Sequence, residues 1–246
     1  MTAPMFRRPR LKSCCSTATF SDPIRALATK LLRDPVSIDA SPRNTTVKAI
    51  RQWIVPVDKK RKPELFLHLL KRHAWPQALV FVKTRKGVDQ LVELLEAKGI
   101  SADSIHGDKP QPARLRALDR FKAGEVRVLI ATDVAARGID IDDLPAVINV
   151  DLPIVAEDYV HRTGRTGRKG ASGEAVSLVC ADEVEQLAAI EVLTRQTLER
   201  VEEPGYAPEH RVPQTDAKGQ IVKKPKKPKK PKGNAPVVSE DVRFRR

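Results

Sequence analysis

Between Thr46 and Thr194 the sequence alternates regularly between short apolar runs and amphipathic segments. Short apolar runs predict buried strands, and apolar residues that recur at helical spacing predict helices. Strands are predicted at Val47–Val57, Ala78–Val82, Ala102–Ile105, Val126–Ala131, Ala146–Val150 and Ala175–Val179. Helices are predicted at Pro63–Arg72, Lys86–Lys98, Gln111–Lys122 and Glu183–Thr194. Strands that alternate with helices form a parallel sheet covered on both faces, so the sequence predicts an α/β domain.

The apolar faces of three of these helices predict part of the core. The residues expected to point inward are Leu65, Phe66, Leu69 and Leu70, then Val88, Leu91, Val92 and Leu95, then Leu115, Leu118 and Phe121. Gly99 is expected to end the second helix. Ligands of parallel sheets bind at the carboxyl ends of the strands. This rule places Thr84, Gly107 and Thr132–Asp140 along one rim.

The composition indicates a polyanionic partner. Lys and Arg number 45 against 31 Asp and Glu, which gives a formal charge of +14 and a pI near 9.9. Such a charge favours nucleic acid over a membrane as the partner. No apolar run is long enough to cross a bilayer. The three cysteines form neither a disulfide framework nor a metal-ligand spacing, which fits a reducing cytoplasm and predicts no metal site.

The stretch His161–Arg168 combines two glycines with three arginines. Glycine lets the backbone approach a ligand, and the arginine fork matches phosphate oxygens. If Tyr159–Arg168 is a short helix, Arg165 and Arg168 lie three residues apart on one face and can hold one polyanion together. Such a pair suits phosphoryl transfer, in which arginines stabilise the charge of the transition state. The alternative is a solvated basic turn.

Several segments, in this order along the chain, resemble motifs of the DEAD-box ATP-dependent RNA helicases. Val80–Thr84 is similar to motif IV, and His106–Asp108 followed by Gln111 and Arg114 is similar to the QxxR element. Ala131–Asp140 is similar to motif V, and His161–Arg168 to motif VI. The resemblance runs from about Thr17 to Val201 and implies the second, C-terminal RecA-like domain of a helicase. Gly173–Leu178 and Glu203–Tyr206 look most like the RhlE-type bacterial subgroup.

The resemblance implies two sets of site residues. Arg165 and Arg168 would reach the ATP phosphates as catalytic arginines, with Gly138, Asp140 and His161 completing the nucleotide-facing set. Asp140 has an alternative role as a loop cap, and His161 as a packing residue. Thr84, Gly107, Gln111, Arg114 and Thr132 would contact the RNA backbone, although Arg114 alone could be a surface arginine. Pro110 and Pro112 on either side of Gln111 depart from the family pattern.

The sequence lacks the phosphate loop and the Asp-Glu-Ala-Asp run that hold ATP and Mg²⁺ in this family. We therefore expect ATP, with Mg²⁺ held by a first RecA-like domain that another chain would supply, and little hydrolysis by this chain alone. The resemblance implies the C-terminal half of a helicase. The alternatives are a non-catalytic RNA-binding or annealing module and a non-functional remnant.

The two ends of the chain predict different segments. Residues 1–16 have no regular pattern, and residues 17–43 are expected to hold a motif III-like remnant of a first domain, a helix and a linker. This arrangement suggests a truncated gene or a broken reading frame. Residues 44–201 form the predicted RecA-like domain. Residues 202–246, with the lysine-proline repeat Lys223–Lys232, predict a disordered basic tail that binds RNA without sequence preference or simply keeps the chain soluble.

Overall fold

The computed structural model describes residues 22–31, 50–136, 139, 141, 143–167 and 172–222. The helices are α1 (Asp22–Leu31), α2 (Lys62–His73), α3 (Arg85–Glu96), α4 (Gln111–Lys122), α5 (Asp133–Ala136), α6 (Ala156–Thr163) and α7 (Val184–Thr194). The strands are β1 (Ile50–Pro56), β2 (Ala78–Phe81), β3 (Ala102–Ile105), β4 (Val128–Ala131), β5 (Ala146–Asn149), β6 (Gly173–Val179), β7 (Glu199–Arg200), β8 (Gln214–Thr215) and β9 (Ile221–Val222). Single 3-10 turns lie at Lys59–Arg61 and Ala181–Glu183.

The described strands form a seven-stranded sheet in the order β3-β4-β2-β5-β6-β1-β7, and every pairing in it is parallel. The register aligns the carboxyl ends of the central strands, so that Ile105, Ala131, Phe81, Asn149 and Ser177 lie side by side across it. Residues that follow these positions therefore share one rim.

The two faces of the sheet bury alternate residues of each strand, as the pleat requires. In β2, Ala78 and Val80 pack with the apolar residues of α2 and α3, whereas Leu79 and Phe81 pack with α4 and α5. A third cluster packs Tyr159 of α6 and the buried residues of α7 against β1 and β6. The predicted α/β fold, a RecA-like parallel sheet with helices on both faces, is confirmed.

Most predicted elements agree with the structure to within a few residues, and β3 and α4 have the predicted bounds. Gly99 lies just beyond α3 with a φ of 70°, as expected of a residue that ends a helix. Leu115 was predicted to be buried, but it is 49% exposed, and Ala117 occupies the core beside Phe121 instead. The helix α4 is thus rotated about its own axis relative to the orientation that the leucine pattern predicts.

The first and last described segments of the chain differ in how they pack. In α1, Leu27 and Leu31 are exposed. Beyond Val201 the chain was predicted to be disordered, but residues 202–222 are folded and end in the β8–β9 hairpin. Glu203 of this segment is buried, and its carboxylate is hydrogen-bonded to His68 and Arg72 of α2. The order of the segment therefore depends on tertiary contacts that a sequence pattern does not reveal.

Several predicted features lie outside the described residues. They are the segment 1–16, the motif III-like Thr17–Ser21, the linker Asp34–Arg43, and the lysine-proline repeat. Within the part of the chain that the structure describes, no helix is long and apolar enough to span a membrane. In the same part, no cluster of three or more His, Cys, Asp or Glu side chains is placed to hold a metal ion.

Candidate functional site

Three of the residues predicted to contact RNA follow neighbouring strands. Gly107 follows β3, Thr132 follows β4, and Thr84 follows β2. These strands are adjacent in the sheet and end in register. Since neighbouring strands lie about 4.8 Å apart, the three positions form a short row along the rim. The structure thus brings together residues that are far apart in the sequence.

Thr84 is the N-cap of α3, and its hydroxyl oxygen accepts a hydrogen bond of 3.1 Å from the Gly87 amide. A hydroxyl can accept one bond and donate another, so the O–H of Thr84 remains able to donate to an anion. A Cβ at position 87 would lie 2.9 Å from Cγ1 of Val82 and 3.0 Å from this hydroxyl. Gly87 therefore lets the loop pack closely on the helix and hold Thr84 at the exposed rim.

Gly107 is exposed, and a Cβ placed there would meet no atom within 4 Å. Its φ also lies outside the left-handed region. Neither packing nor backbone conformation within the described residues requires a glycine at this position. This observation is compatible with the predicted role, in which the backbone comes close to an external ligand.

Gln111 and Arg114 form a local pair at the start of α4. The Arg114 Nη1 donates to the Gln111 side-chain oxygen at 3.0 Å, and its Nη2 donates to the Ala135 carbonyl at 3.0 Å. Pro110 is the N-cap of α4, and Pro112 lies in its first turn, where a proline is tolerated. The two prolines that depart from the family pattern are thus compatible with the pairing of Gln111 and Arg114.

Thr132 is 9% exposed and links the ends of β4 and α5. Its amide donates to the Ile105 carbonyl at 3.2 Å, and its carbonyl accepts from the Ala135 and Ala136 amides. Arg114 also contacts α5 through Ala135. Gln111, Arg114 and Thr132 are therefore connected by hydrogen bonds through Ala135 of α5.

The helix α6 ends at Thr163, so the predicted helix Tyr159–Arg168 is wrong at its carboxyl end. The chain leaves the helix at Gly164, and Thr166 forms a parallel bridge with Leu144. The predicted placement of Arg165 and Arg168 on one helical face is therefore lost. A helix cannot continue here because Gly167 has a φ of 67°.

The two glycines of this stretch have structural roles that the sequence analysis missed. A Cβ on Gly167 would overlap Cγ1 of Ile50, and one on Gly164 would lie 3.1 Å from the Val160 carbonyl oxygen. Gly173 from β6 also approaches closely, since a Cβ there would overlap the Thr166 hydroxyl. The spacing of Gly164 and Gly167 is thus explained by packing within the domain.

Arg162, in the same stretch, is buried and makes several polar contacts that were not predicted from the sequence. It is 2% exposed, and its guanidinium contacts both carboxylate oxygens of Asp133, at 2.6 and 2.7 Å. It also donates to Asn149 Oδ1 at 2.9 Å and to the Asp151 carbonyl at 2.8 Å, and lies 4.7 Å from the centre of the Phe81 ring. Arg162 lies three positions after the buried Tyr159, on the same side of α6, and this helical spacing was the available signal.

The residues predicted to face ATP are only partly described. Arg165 is half-buried, and its Nη1 donates to the Ile139 carbonyl at 3.1 Å, which joins the predicted motif VI to the predicted motif V. His161 is half-buried on the last turn of α6. Gly138, Asp140 and Arg168 lie outside the described residues.

The fold and the rim define a RecA-like helicase domain, and comparisons with known proteins agree. Residues 61–170 match the helicase conserved C-terminal domain. The DEAD-box ATP-dependent RNA helicase CshA of Geobacillus kaustophilus is 42% identical over 188 residues, which cover 76% of this chain and 40% of CshA. The CshA of Bacillus subtilis is 39% identical over 188 residues and is covered to 38%. The chain thus spans about two fifths of the length of these curated relatives.

Solved structures give the same assignment. The E. coli DEAD-box protein SrmB, in a crystal structure with RraA, is 37% identical, with a TM-score of 0.64 over 68% of this chain and 99% of that one. Dbp5 of S. cerevisiae bound to RNA and ADP BeF3 is 32% identical, with a TM-score of 0.69 over 76% of this chain and 50% of that one. The chain belongs to the DEAD-box RNA helicase family and contains the helicase C-terminal domain of that family.

Proposed function

We propose that this chain acts as the C-terminal half of an ATP-dependent RNA helicase, contributing RNA-backbone contacts and arginines that face ATP. The observation that carries the proposal is the row formed by Thr84, Gly107 and Thr132 at the ends of adjacent strands. Each position offers a donor or an open backbone at one rim, while the Arg114 guanidinium stands next to it. A row of this kind follows a phosphate backbone rather than base edges.

On the RNA side, the hydroxyls of Thr84 and Thr132, the amide of Gln111 and the open backbone of Gly107 would donate to phosphate oxygens. Arg114 would add charge. Its Nε is buried without a partner in the described residues, while both terminal nitrogens are held by Gln111 and Ala135. Such contacts predict binding with little sequence specificity and a steep dependence on salt.

On the nucleotide side, Arg165, Arg168 and His161 would meet ATP, together with Gly138 and Asp140. A guanidinium and an imidazole fit phosphate and ribose oxygens. Bound ATP with Mg²⁺ would supply the energy for closing two domains on RNA. The 246 residues contain no phosphate loop. The groups that would hold the ATP phosphates and the metal are therefore those of a first RecA-like domain, which the test below supplies in trans.

The test is an ATPase assay of this chain with single-stranded RNA, with and without a separately produced first RecA-like domain of the same family. We expect RNA-stimulated hydrolysis only in the mixture, and loss of that hydrolysis with Arg165→Ala. Turnover by this chain alone would contradict the proposal. Failure of the mixture to hydrolyse ATP, with both domains folded, would contradict it as well.

The finer assignments are part of the same proposal. We place the chain in the RhlE-type subgroup because of Gly173–Leu178 and Glu203–Tyr206, and in the cytoplasm, where the RNA substrate would lie. The repeat Lys223–Lys232 would add non-specific attraction to RNA.

A second candidate function is a non-catalytic RNA-binding or annealing module. The observation that favours it is the combination of the rim with a polycationic repeat in a sequence without a phosphate loop. The two functions differ in one assay, because an annealing module would accelerate pairing of complementary RNA strands without ATP and without a second domain.

A further inference from the structure

A buried lysine lies behind the rim, outside the motifs described above. Lys62, the first residue of α2, is 2% exposed. Its ammonium donates to the Val150 carbonyl at 2.7 Å and to Glu183 Oε2 at 2.6 Å, and it lies 3.3 Å from Asp151 Oδ1. All three acceptors belong to the segments that follow β5 and β6. A buried ammonium is tolerated only when its donors are paired in this way.

Asp151 connects this lysine with both parts of the rim. Its second oxygen, Oδ2, accepts a hydrogen bond of 2.9 Å from the Lys83 amide, in the loop that carries Thr84. Its main-chain carbonyl accepts from Arg162 of α6. Asp151 therefore stands between the loop proposed to contact RNA and the helix that leads to the arginines proposed to face ATP.

Glu183 holds the other side of the lysine in place. Its Oε1 accepts from the Leu152 amide at 3.0 Å, and its Oε2 accepts from the Cys180 amide at 3.0 Å. The side chains of Asp151 and Glu183 are 24% and 14% exposed, so both carboxylates are partly shielded from water. Without the ammonium, two carboxylates would face each other in this shielded space.

We infer that Lys62 and Asp151 are positioning residues for RNA binding, which fix the Lys83–Thr84 loop relative to α6. This inference rests on the proposed function, because Thr84 is the RNA contact that it assigns to the loop. Lys62 orients the Asp151 carboxylate, and Asp151 holds the Lys83 amide. The same aspartate meets Arg162, so the loop and α6 have one common anchor. Lys62 touches neither ligand and acts through Asp151.

The experiment compares Lys62→Met with Lys60→Met in the full chain of 246 residues. Lys60 lies two positions earlier, is exposed, and serves as the matched control. Two quantities are measured: hydrogen exchange of the amides of residues 82–84, and the affinity for a single-stranded RNA by fluorescence anisotropy. Each variant is also combined with Thr84→Ala. Asp151→Asn, which leaves Lys62 paired with Glu183, is measured in the same way and decides the question if Lys62→Met does not fold.

We expect Lys62→Met and Asp151→Asn to speed exchange at residues 82–84 while β2 and β5 stay protected. We expect RNA affinity to fall by about twofold to thirtyfold, the range for residues that couple a site without touching the ligand. In the Thr84→Ala background, most of this loss should disappear, because the loop no longer contributes its contact. Lys60→Met should change neither quantity.

Two results would overturn the inference. One is unchanged hydrogen exchange of the amides of residues 82–84. The other is an equal loss of RNA affinity in the Thr84 and Thr84→Ala backgrounds. The second result would show a general structural role of the lysine. If the unsubstituted chain binds no RNA, the proposed function fails. The exchange data would then still decide whether Lys62 and Asp151 hold the loop.

Discussion

The rim has an open side, where polar groups are exposed, and a closed side, where polar groups are buried and bonded to one another. On the open side, Thr84, Gly107 and Gln111 are exposed, and a side chain could be added at Gly107 without any contact. On the closed side, Arg162 and Asn149 are buried and bonded to each other, and Arg162 also binds Asp133. The difference separates groups that are available to a ligand from groups that fix the backbone near it. A basic residue in a motif can belong to either kind.

The largest expected effect concerns the closed side. Arg162→Ala removes the partner of Asp133 and leaves a carboxylate that is 26% exposed without its cation. Breaking a pair in which one member is buried should lower the free energy of unfolding by about 3 kcal/mol. Urea denaturation measures this change. Arg116, which is exposed on α4, is the control, and Arg116→Ala should stay within about 0.5 kcal/mol of the unsubstituted chain. Equal effects of the two substitutions would remove the distinction between the two sides.

A smaller effect is expected at Gly167, which packs against Ile50 at the start of β1, at the other end of the sheet from the rim. Gly167→Ala places a side chain at a φ of 67° and against Ile50, and we expect a loss of about 2 kcal/mol or more. Gly124 has a φ of 78° but open space around it, so Gly124→Ala should show the backbone cost alone, about 1 kcal/mol. Thermal unfolding compares the two variants. If Gly124→Ala is the more harmful change, the packing explanation of Gly167 is wrong.

These glycines show what the sequence could and could not provide. The alternation of strands and helices predicted the parallel sheet, its rim, and the positions of Thr84, Gly107 and Thr132, because periodicity reports which residues are buried. It did not predict that Gly167 is required by Ile50. That requirement arises from contacts between segments distant in the sequence, and a local pattern does not contain them. The motif was recognised, but part of its chemistry was assigned to a ligand when it belongs to the fold.

Arg162 and the segment 202–222 were missed for the same reason. From sequence alone an arginine is interpreted as a surface or ligand-binding residue, because its partners are unknown. The partners of Arg162 come from β5, α5 and the segment after β5. The end of α6 was also misplaced, since the positive φ of Gly167 is a tertiary requirement. Residues 202–222 are polar and rich in proline, yet they make tertiary contacts with the domain. Glu203 enters a buried position beside His68 and Arg72, and Val212 joins the cluster around Tyr159.

Glu203 is a buried carboxylate that contacts His68 and Arg72 of α2, away from the motifs. Burial by itself raises the pKa of Glu203, but hydrogen bonds and charge from His68 and Arg72 outweigh it and hold the pKa below the ordinary value of 4.5. The stability that Glu203 contributes is therefore fully present above pH 4.5, the ordinary value for an unfolded chain. It is lost as the pH falls through the lower pKa of the folded state.

The measurement is the difference in free energy of unfolding between the unsubstituted chain and Glu203→Gln, taken at neutral pH and in acid. We expect about 1 kcal/mol at neutral pH, since His68 and Arg72 are partly exposed and screened. The difference should shrink in acid. A difference that grows in acid would contradict a lowered pKa for the Glu203 carboxyl.

The smallest effect on stability is expected on the open side, at Gly107. Gly107→Ala meets no atom of the protein, so the free energy of unfolding should change by no more than about 0.5 kcal/mol. RNA affinity should nevertheless fall by about fivefold, or about 1 kcal/mol, because the added methyl group occupies the space of the ligand. Fluorescence anisotropy and urea denaturation of the same variant give both numbers. A loss of stability without a loss of RNA affinity would assign Gly107 to the closed side.

An RNA titration of a chain ending at Val222 tests whether the rim contacts RNA. Removing the lysine-proline repeat leaves the rim as the main source of affinity. We predict that this chain still binds single-stranded RNA, and that Arg114→Ala weakens binding about tenfold and lowers the salt slope by about one unit. Arg116→Ala, two residues further along α4, should leave binding unchanged. If binding disappears with the repeat, or if the two arginine substitutions have equal effects, the rim is not the RNA interface.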